Sequence, residues 1–309
     1  MTACVAITGG TGFVGRHVAA ALCEAGYGVR SLSRSGLGPA PPGLTLVAGA
    51  LESEASLRAL VQGAQAVVHI AGAIRAVDRA GFQAVNAGGS ARVAAAAEPG
   101  RMLIQVSSLA ARAPGLSDYA ASKADGEQAV LRHVDRMTVV VVRPPAVYGP
   151  HDRSTLPILR GLDRGWLLHP AGRSARFSML YASDLAALIV ALLANPPESG
   201  TIVEPDDGRA GGYAWSELAG IAAAKLARPV RAVGVPQRPL TMLAGLSERV
   251  AVATGRQPLL SRGKVRELFH PDWVCGPSGM ASVAGWQPRT RFEDGLPATL
   301  GWYRAAGWL

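Results

Sequence analysis

The stretch that decides the fold is Val5-Ala6-Ile7-Thr8-Gly9-Gly10-Thr11-Gly12-Phe13-Val14-Gly15-Arg16-His17-Val18. It reads as a buried strand, a tight turn and the first turns of an apolar helix. Gly9 permits the turn, Gly12 lets backbone approach an anion, and Gly15 lets the helix pack closely on the strand. A pyrophosphate would then sit on the amides of Phe13 and Val14 at the helix N-terminus, where the dipole and the unpaired donors coincide. A glycine triplet alone can be a structural turn, but this one sits between a strand and a helix at the start of the chain, which favours a dinucleotide.

Outward from that unit, short β-rich runs alternate with alanine-rich amphipathic segments, the pattern of a parallel sheet covered by helices. Strands are predicted near Ala3 to Thr8, Val29 to Ser33, Thr45 to Val47, Ala66 to Ile70, Met102 to Ser107 and Thr138 to Arg143. Helices are predicted near Gly12 to Ala25, Glu54 to Val61, Phe82 to Ala97 and Asp118 to His133. The expectation is an α/β fold, a doubly wound parallel sheet of six strands, with a smaller discontinuous substrate lobe. Residues 1–150 and about 175–203 would form the dinucleotide-binding domain, including a returning strand and helix near Phe177 to Leu193. Residues 151–174 and 204–309 would form the lobe, with helices near Tyr213 to Ala227 and Pro239 to Ala253. The stripe Leu240, Leu243, Leu246 and Val250 on the last of these is read as core rather than as a membrane anchor.

Of the 309 residues, 49% are hydrophobic and 17% charged, so the chain can bury a sizeable core. No signal peptide is expected before the first strand, and no stretch reaches the roughly 18 uninterrupted apolar residues of a membrane span. Cys4, Cys23 and Cys275 are too few and too scattered for a disulfide framework or a metal site, which fits a reducing cytoplasm. The net charge of +9 is dispersed rather than gathered into a dense run, which argues against nucleic-acid binding and is compatible with an anionic cofactor.

The second strand ends Val29-Arg30-Ser31-Leu32-Ser33-Arg34-Ser35 with no acidic residue to hold a ribose diol. Arg34 can pair with a 2′-phosphate and Ser33 and Ser35 can donate to it, so NADP(H) is expected over NAD(H). Further on, Tyr119-Ala120-Ala121-Ser122-Lys123 puts Tyr119 and Lys123 on one helical face. Tyrosine titrates near pH 10, and a nearby ammonium would favour its phenolate, making it a usable proton donor and acceptor for carbonyl chemistry. Ser108, ending the fifth strand, would hydrogen-bond the substrate oxygen, while strand alternation turns Ser107 to the other side.

The spacing Gly-x-x-Gly-x-x-Gly after Thr8 resembles the fingerprint of the extended short-chain dehydrogenase/reductase family. The similarity continues through Val68-His69-Ile70-Ala71-Gly72, Val85-Asn86 with Gly89-Ser90, Val106-Ser107-Ser108, Tyr119 to Lys123, Arg143-Pro144-Pro145-Ala146-Val147-Tyr148-Gly149-Pro150 and Tyr181-Ala182-Ser183-Asp184-Leu185-Ala186. The resemblance implies that Ala71 and Gly72, backbone groups near Pro145 and Val147, Asn86, Tyr119 and Lys123 join the glycine loop around the cofactor. Lys123 would hold the nicotinamide ribose, and Asn86 would support it through water. It also implies a homodimer through the helices near Phe82 to Ala97 and Asp118 to His133.

Two departures bear on ligands. Ala50 stands where family members carry an acidic residue toward the adenine, and Ala146 stands where nucleotide-sugar enzymes supply an asparagine to the substrate diphosphate. The pattern is more similar to ketone reductases and hydroxysteroid-type dehydrogenases. The leading expectation is therefore an NADP-dependent oxidoreductase acting on a secondary alcohol or ketone of a fairly apolar small molecule. An epimerase or dehydratase without net redox change, and a non-catalytic NADP(H)-binding structural or sensor subunit, are the alternatives.

Overall fold

A computed structural model describes residues 3–36, 43–171, 175–276 and 283–309. Met1 and Thr2, and residues 172–174 of the expected lobe segment, lie outside the described residues. In chain order the first half runs β1 (Cys4–Thr8), α1 (Phe13–Glu24), β2 (Gly28–Ser33), β3 (Leu44–Ala48), α2 (Glu54–Val61), β4 (Ala66–His69), α3 (Arg79–Phe82), α4 (Gly88–Ala96), β5 (Met102–Val106), α5 (Asp118–Leu131) and β6 (Thr138–Val142). The second half continues β7 (Ala146–Tyr148), α6 (Leu156–Asp163), β8 (Trp166–Pro170), β9 (Arg176–Phe177), β10 (Met179–Tyr181), α7 (Ala182–Ala194), β11 (Thr201–Val203), β12 (Tyr213–Ala214), α8 (Trp215–Lys225), β13 (Arg231–Val235), α9 (Gln237–Thr254), α10 (Arg262–Leu268), β14 (Asp272–Trp273) and α11 (Phe292–Ala305).

The main sheet has seven strands in the order β11-β6-β5-β4-β1-β2-β3, all parallel. This is the doubly wound α/β architecture, and the strand order reverses between β1 and β4, where such sheets place their ligands. The sequence pattern shows six of the strands; the seventh, β11, is three residues long and pairs with β6 through Thr201↔Val140 to Val203↔Val142. The inner strands are apolar along their length because helices cover both faces. Val67, Leu103, Val139 and Val141 meet Leu57, Leu60, Val93 and Val130 from α2, α4 and α5 in one buried cluster. Each such side chain contributes about 1.5–3 kcal/mol.

The compact units are residues 1–144, 185–205 and 277–286 for the first, and 145–184, 206–276 and 287–309 for the second. The strands near Phe177 pair outside the main sheet: β10 pairs with β7, and β9 with β12 and β14. The return to the first unit begins at Leu185, inside α7, rather than at the strand. The second unit has its own core of Tyr148, Leu159, Leu162, Tyr213, Phe292 and Tyr303. There Tyr303 donates to the Asp152 carbonyl at 2.7 Å and Tyr213 donates to the Asp207 carboxylate. The stripe expected to be core on α9 is mostly solvent-facing: Leu243, Leu246 and Val250 are exposed, and the helix packs through Ala244 and Ala251 instead. Ala244 meets Val265 of α10 and Phe269 just past it, and Leu240, the one member of the stripe that turns inward, is partly buried against the same cluster.

Candidate active site

The loop after β1 is closed by backbone proximity. Gly9 has φ +76°, and a side chain there would stand 2.6 Å from the Ala71 amide. A Cβ on Gly15 would stand 2.0 Å from the Gly9 carbonyl, so only glycine lets α1 dock against the turn. Gly12 differs. Its amide donates to Gly9 at 3.0 Å, but a Cβ there would meet only the Gly9 oxygen at 3.2 Å within the protein. Gly12 is the N-cap of α1 and offers no side-chain cap, so the first-turn amides after it, Phe13 and Val14 among them, lack that partner. A cradle of donors with one open glycine position fits a dinucleotide pyrophosphate.

Thr8 ties this loop to the end of β4. Its carbonyl accepts from Ile70 and Ala71 at 3.1 Å, and its hydroxyl shares a 2.5 Å hydrogen bond with His69 Nδ1. Burial, aided by the positive charge of Lys123, pulls His69 down to about 3, so the ring is neutral at physiological pH. At the end of β2 Ser33 is buried, with its oxygen 3.5 Å from Ser35 Oγ, and its carbonyl accepts from Gly49 at 3.0 Å. Arg34 is exposed at the same edge.

The Tyr-x-x-x-Lys pair lies on α5 as the spacing predicts. Tyr119 is half-buried, with its ring edge-on to Phe82 at 6.0 Å. Lys123 is buried, and its Nζ donates to the Val106 carbonyl at the end of β5 at 2.9 Å. A Cβ on Gly72 would lie 3.7 Å from that Nζ and 3.1 Å from Asn86 Oδ1, so Gly72, Asn86 and Lys123 converge. Asn86 is held in a π-helical turn, Gln83–Ala87, between α3 and α4. Its side chain accepts from the Ala73 amide at 2.7 Å and donates to the Ala73 carbonyl at 3.0 Å and to Ser122 Oγ at 2.8 Å. The helix expected as one piece over Phe82 to Ala97 is therefore interrupted, and π turns of this kind recur at functional sites.

Ser108 is half-buried, extends from β5, and accepts from the Ala110 amide at 3.2 Å, which leaves its O–H able to donate. Ser107 turns the other way: its hydroxyl donates to Glu127 at 2.5 Å. Glu127, four residues beyond Lys123, is nearly inaccessible and takes three hydrogen bonds from Arg143, the shortest at 2.6 Å. Arg143 reaches on to Glu204 at 3.3 Å, and Arg112 meets Glu204 at 3.5 Å. Burial pulls the Lys123 ammonium down to about 8, and the Glu127 carboxylate opposes that fall.

Glu127 and Arg143 are site residues that sequence reasoning misses. A signal exists in the spacing Tyr119-Lys123-Glu127, one helical face with a carboxylate at the next turn, but its partner Arg143 is distant in sequence. Pro145 and Val147 fall in the second unit, where Val147 pairs with Leu180 between β7 and β10. Among the described residues no cluster of His, Cys, Asp and Glu could hold a metal ion, and no helix is long and apolar enough to cross a membrane.

Comparison with known proteins places this geometry. The chain matches the NAD dependent epimerase/dehydratase family over residues 5–204. It is 38% identical to a ceramide reductase of Caulobacter vibrioides across 99% of this chain and 96% of that one. A 4-hydroxy-2-methyl-3-oxo-4-farnesyl-3,4-dihydroquinoline-1-oxide ketoreductase of Stigmatella aurantiaca is 33% identical across 50% of this chain and 53% of its own length. Among solved structures, MoeE5 in complex with UDP-glucuronic acid and NAD superposes with a TM-score of 0.74 at 18% identity, covering 98% of this chain and 99% of that one, which shows a shared fold. The chain belongs to the NAD-dependent epimerase/dehydratase family and is an NAD(P)-dependent oxidoreductase of the extended short-chain dehydrogenase/reductase type.

Proposed function

We propose that this member of the family reduces a ketone, or oxidises the matching secondary alcohol, on a fairly apolar, lipid-like molecule, with NADP(H) as redox partner and Tyr119 as proton donor. The observation that carries the reading is the buried Lys123. It is four residues from Tyr119 on α5, anchored to Val106 at 2.9 Å and beside Gly72 and Asn86. Burying an ammonium is costly, and its position next to a tyrosine gives that cost a chemical use.

When bound, the nicotinamide supplies the hydride that reaches the carbonyl carbon. As negative charge grows on the substrate oxygen, Tyr119 gives up its phenolic proton to it, and Ser108 donates a hydrogen bond to the same oxygen. The phenolate left on Tyr119 is stabilised by the Lys123 ammonium. The Val106 carbonyl fixes where that ammonium stands. The residues that would hold the cofactor are Gly9, Gly12, Phe13, Val14 and Gly15 at its pyrophosphate, with Thr8 setting the end of β1. Ser33 and Arg34 would hold a 2′-phosphate, Ala71, Gly72 and Asn86 would line its path, and Lys123 and Tyr119 would hold the nicotinamide ribose.

The apolar substrate class is supported by the names of the two relatives, one a reductase of ceramide and one of a farnesyl-bearing ketone. Ala146 in place of an asparagine argues against a sugar diphosphate. A homodimer through the α4 and α5 region and a cytoplasmic location belong to the same reading. The test is steady consumption of NADPH with ketones of increasing chain length, against Tyr119→Phe. Removal of the hydroxyl alone should lower turnover by at least about 100-fold while cofactor affinity is retained. Interconversion of substrates without net NADPH loss would mark an epimerase. Parental turnover by Tyr119→Phe would remove Tyr119 from the proton step.

A further inference from the structure

Helix α9 carries its apolar residues the wrong way round for a helix that serves only its own core. Inward go Ala244, Gly245 and Ala251, with Leu240 partly buried beside them near the start of the helix, and a Cβ on Gly245 would come within 2.5 Å of the Arg262 guanidinium. Outward go the large ones: Met242 is 77% exposed, Leu243 60%, Leu246 60% and Val250 54%. At 100° per residue these four, with Pro239 and Ala253, fall within an arc of about 100°, the width of an ordinary buried stripe. Off that arc, Val252 and Leu259, the latter in the loop that follows, are 72% and 88% exposed. Apolar residues scattered singly over a surface need no explanation; a continuous stripe along about four turns of one helix does.

The flank of the stripe is cationic. Arg238 and Arg249 border it on one side and are exposed. The only carboxylate of α9, Glu248, is already engaged by the Arg262 amide at 2.7 Å and by its guanidinium at 3.7 Å. From residue 231 to 268 the sequence holds six arginines and one lysine against two carboxylates, a surplus of five positive charges out of the chain's net +9. The second carboxylate, Glu267, is paired with Lys264 at 3.0 Å.

We propose that α9 docks this protein on an anionic phospholipid bilayer, with Met242, Leu243, Leu246 and Val250 entering the headgroup boundary and Arg238 and Arg249 meeting lipid phosphates. An amphipathic helix lying in the interface plane has this composition, large apolar residues on one face and arginines at its border. A second copy of the chain suits the face less well. A two-fold contact would set the arginine border against itself with the helices antiparallel and would give it no opposite charge from the same stripe with them parallel, whereas an anionic lipid surface complements both the apolar stripe and the charge. The inference stands on α9 alone and is independent of the reaction assigned above, although a lipid-like ketone would be met at such a surface.

The experiment is flotation of the full-length protein with vesicles of phosphatidylcholine, alone or with about 30 mol % phosphatidylglycerol, at low and high salt. The parent should float with the anionic vesicles and stay behind with the zwitterionic ones. A triple variant, Leu243→Ser, Leu246→Ser and Val250→Ser, changes exposed positions only, so it should stay folded. Its partitioning should fall at least about tenfold while turnover of a water-soluble ketone is unchanged. Leu246→Trp should shift its emission to the blue on adding anionic vesicles. A parent that does not float at low salt overturns the proposal. So does a triple variant that floats as well as the parent, because charge alone would then account for binding. If neither protein floats and light scattering shows a dimer that the triple substitution makes monomeric, the face is a protein interface and the proposal is wrong.

Discussion

Replacing Glu127 by glutamine should change the charge state of Lys123 without touching Lys123. The carboxylate lies one helical turn beyond the ammonium, a spacing that puts the two side chains about 6 Å apart. Unit charges at that distance interact by about 2.8 kcal/mol at an effective dielectric of about 20, which is about 2 pH units. Glutamine keeps the shape and can still accept from Ser107 and Arg143, but it no longer offsets the repulsion between Arg143 and Lys123. Because Arg143 already reaches Glu204 at 3.3 Å, it can swing that way and relieve part of the loss. The expected fall is therefore about 1 to 2 units, from a parental midpoint of about 8. The assay is favourable because the chain has three lysines, Lys123, Lys225 and Lys264, so the ε-carbon NMR signals can be followed one by one through a titration. Since the reaction proposed above needs the charged amine, activity should fall as pH rises through the Lys123 midpoint, and this alkaline limb should move to lower pH in the variant by the same amount. An unmoved Lys123 midpoint in a folded Glu127→Gln protein would refute the electrostatic reasoning and leave Glu127 as a structural partner of Arg143.

Three further outcomes follow from the same geometry. Arg34→Ala should erase a preference for NADPH over NADH worth about 1.5 to 3 kcal/mol, or roughly 10- to 150-fold in Kd; equal dissociation constants in the parent, by fluorescence titration, would exclude the pairing. Gly12→Val should leave a folded protein that no longer binds dinucleotide, since the added side chain meets little of the protein itself, a Cβ there reaching only the Gly9 oxygen at 3.2 Å; retained affinity would reduce the loop to a turn. Lys123→Met should abolish turnover and raise stability at neutral pH. The buried amine has a folded-state midpoint of about 8 against an ordinary 10.5, so the unfolded chain binds the proton more tightly. The protonated amine thus costs up to about 3 kcal/mol below pH 8, a cost relieved as pH rises from 8 toward 10.5. Urea unfolding of both proteins at pH 7 and pH 10 should show the gain shrinking at the higher pH, and a methionine variant less stable than the parent at pH 7 would contradict it.

The parts of the fold that are legible in the sequence are those fixed by local rules. The glycine turn, the apolar inner strands and the helix bearing Tyr119 and Lys123 each follow from spacing, and their ends agree within a residue or two. What escapes depends on distant partners. The three residues of β11 are too few for any periodicity and become a strand only because β6 offers a free edge. The π turn at Gln83–Ala87 follows from Asn86 bonding to Ala73, thirteen residues away, while the helical periodicity runs through it unbroken. On α9 the apolar stripe is plain in the sequence, but its direction is not. Periodicity shows that one side of a helix differs from the other; which side meets Val265 and Phe269 is set by packing with residues distant in sequence.

Glu127 shows the same limit inside the site. Its spacing from Lys123 is visible in the sequence, yet a carboxylate at that turn could equally be a solvated surface charge. Its burial is matched by Arg143, just past β6, which makes three hydrogen bonds to it from two nitrogens and is itself held by Glu204 just past β11. The short edge strand that sequence periodicity misses is thus followed by the carboxylate that holds Arg143, which holds Glu127, whose charge opposes the fall of the Lys123 midpoint. A buried ion pair of this kind is weak evidence for stability. Its place beneath a lysine whose midpoint is near 8 gives it a use that stability does not explain, and the Glu127→Gln titration separates those two roles.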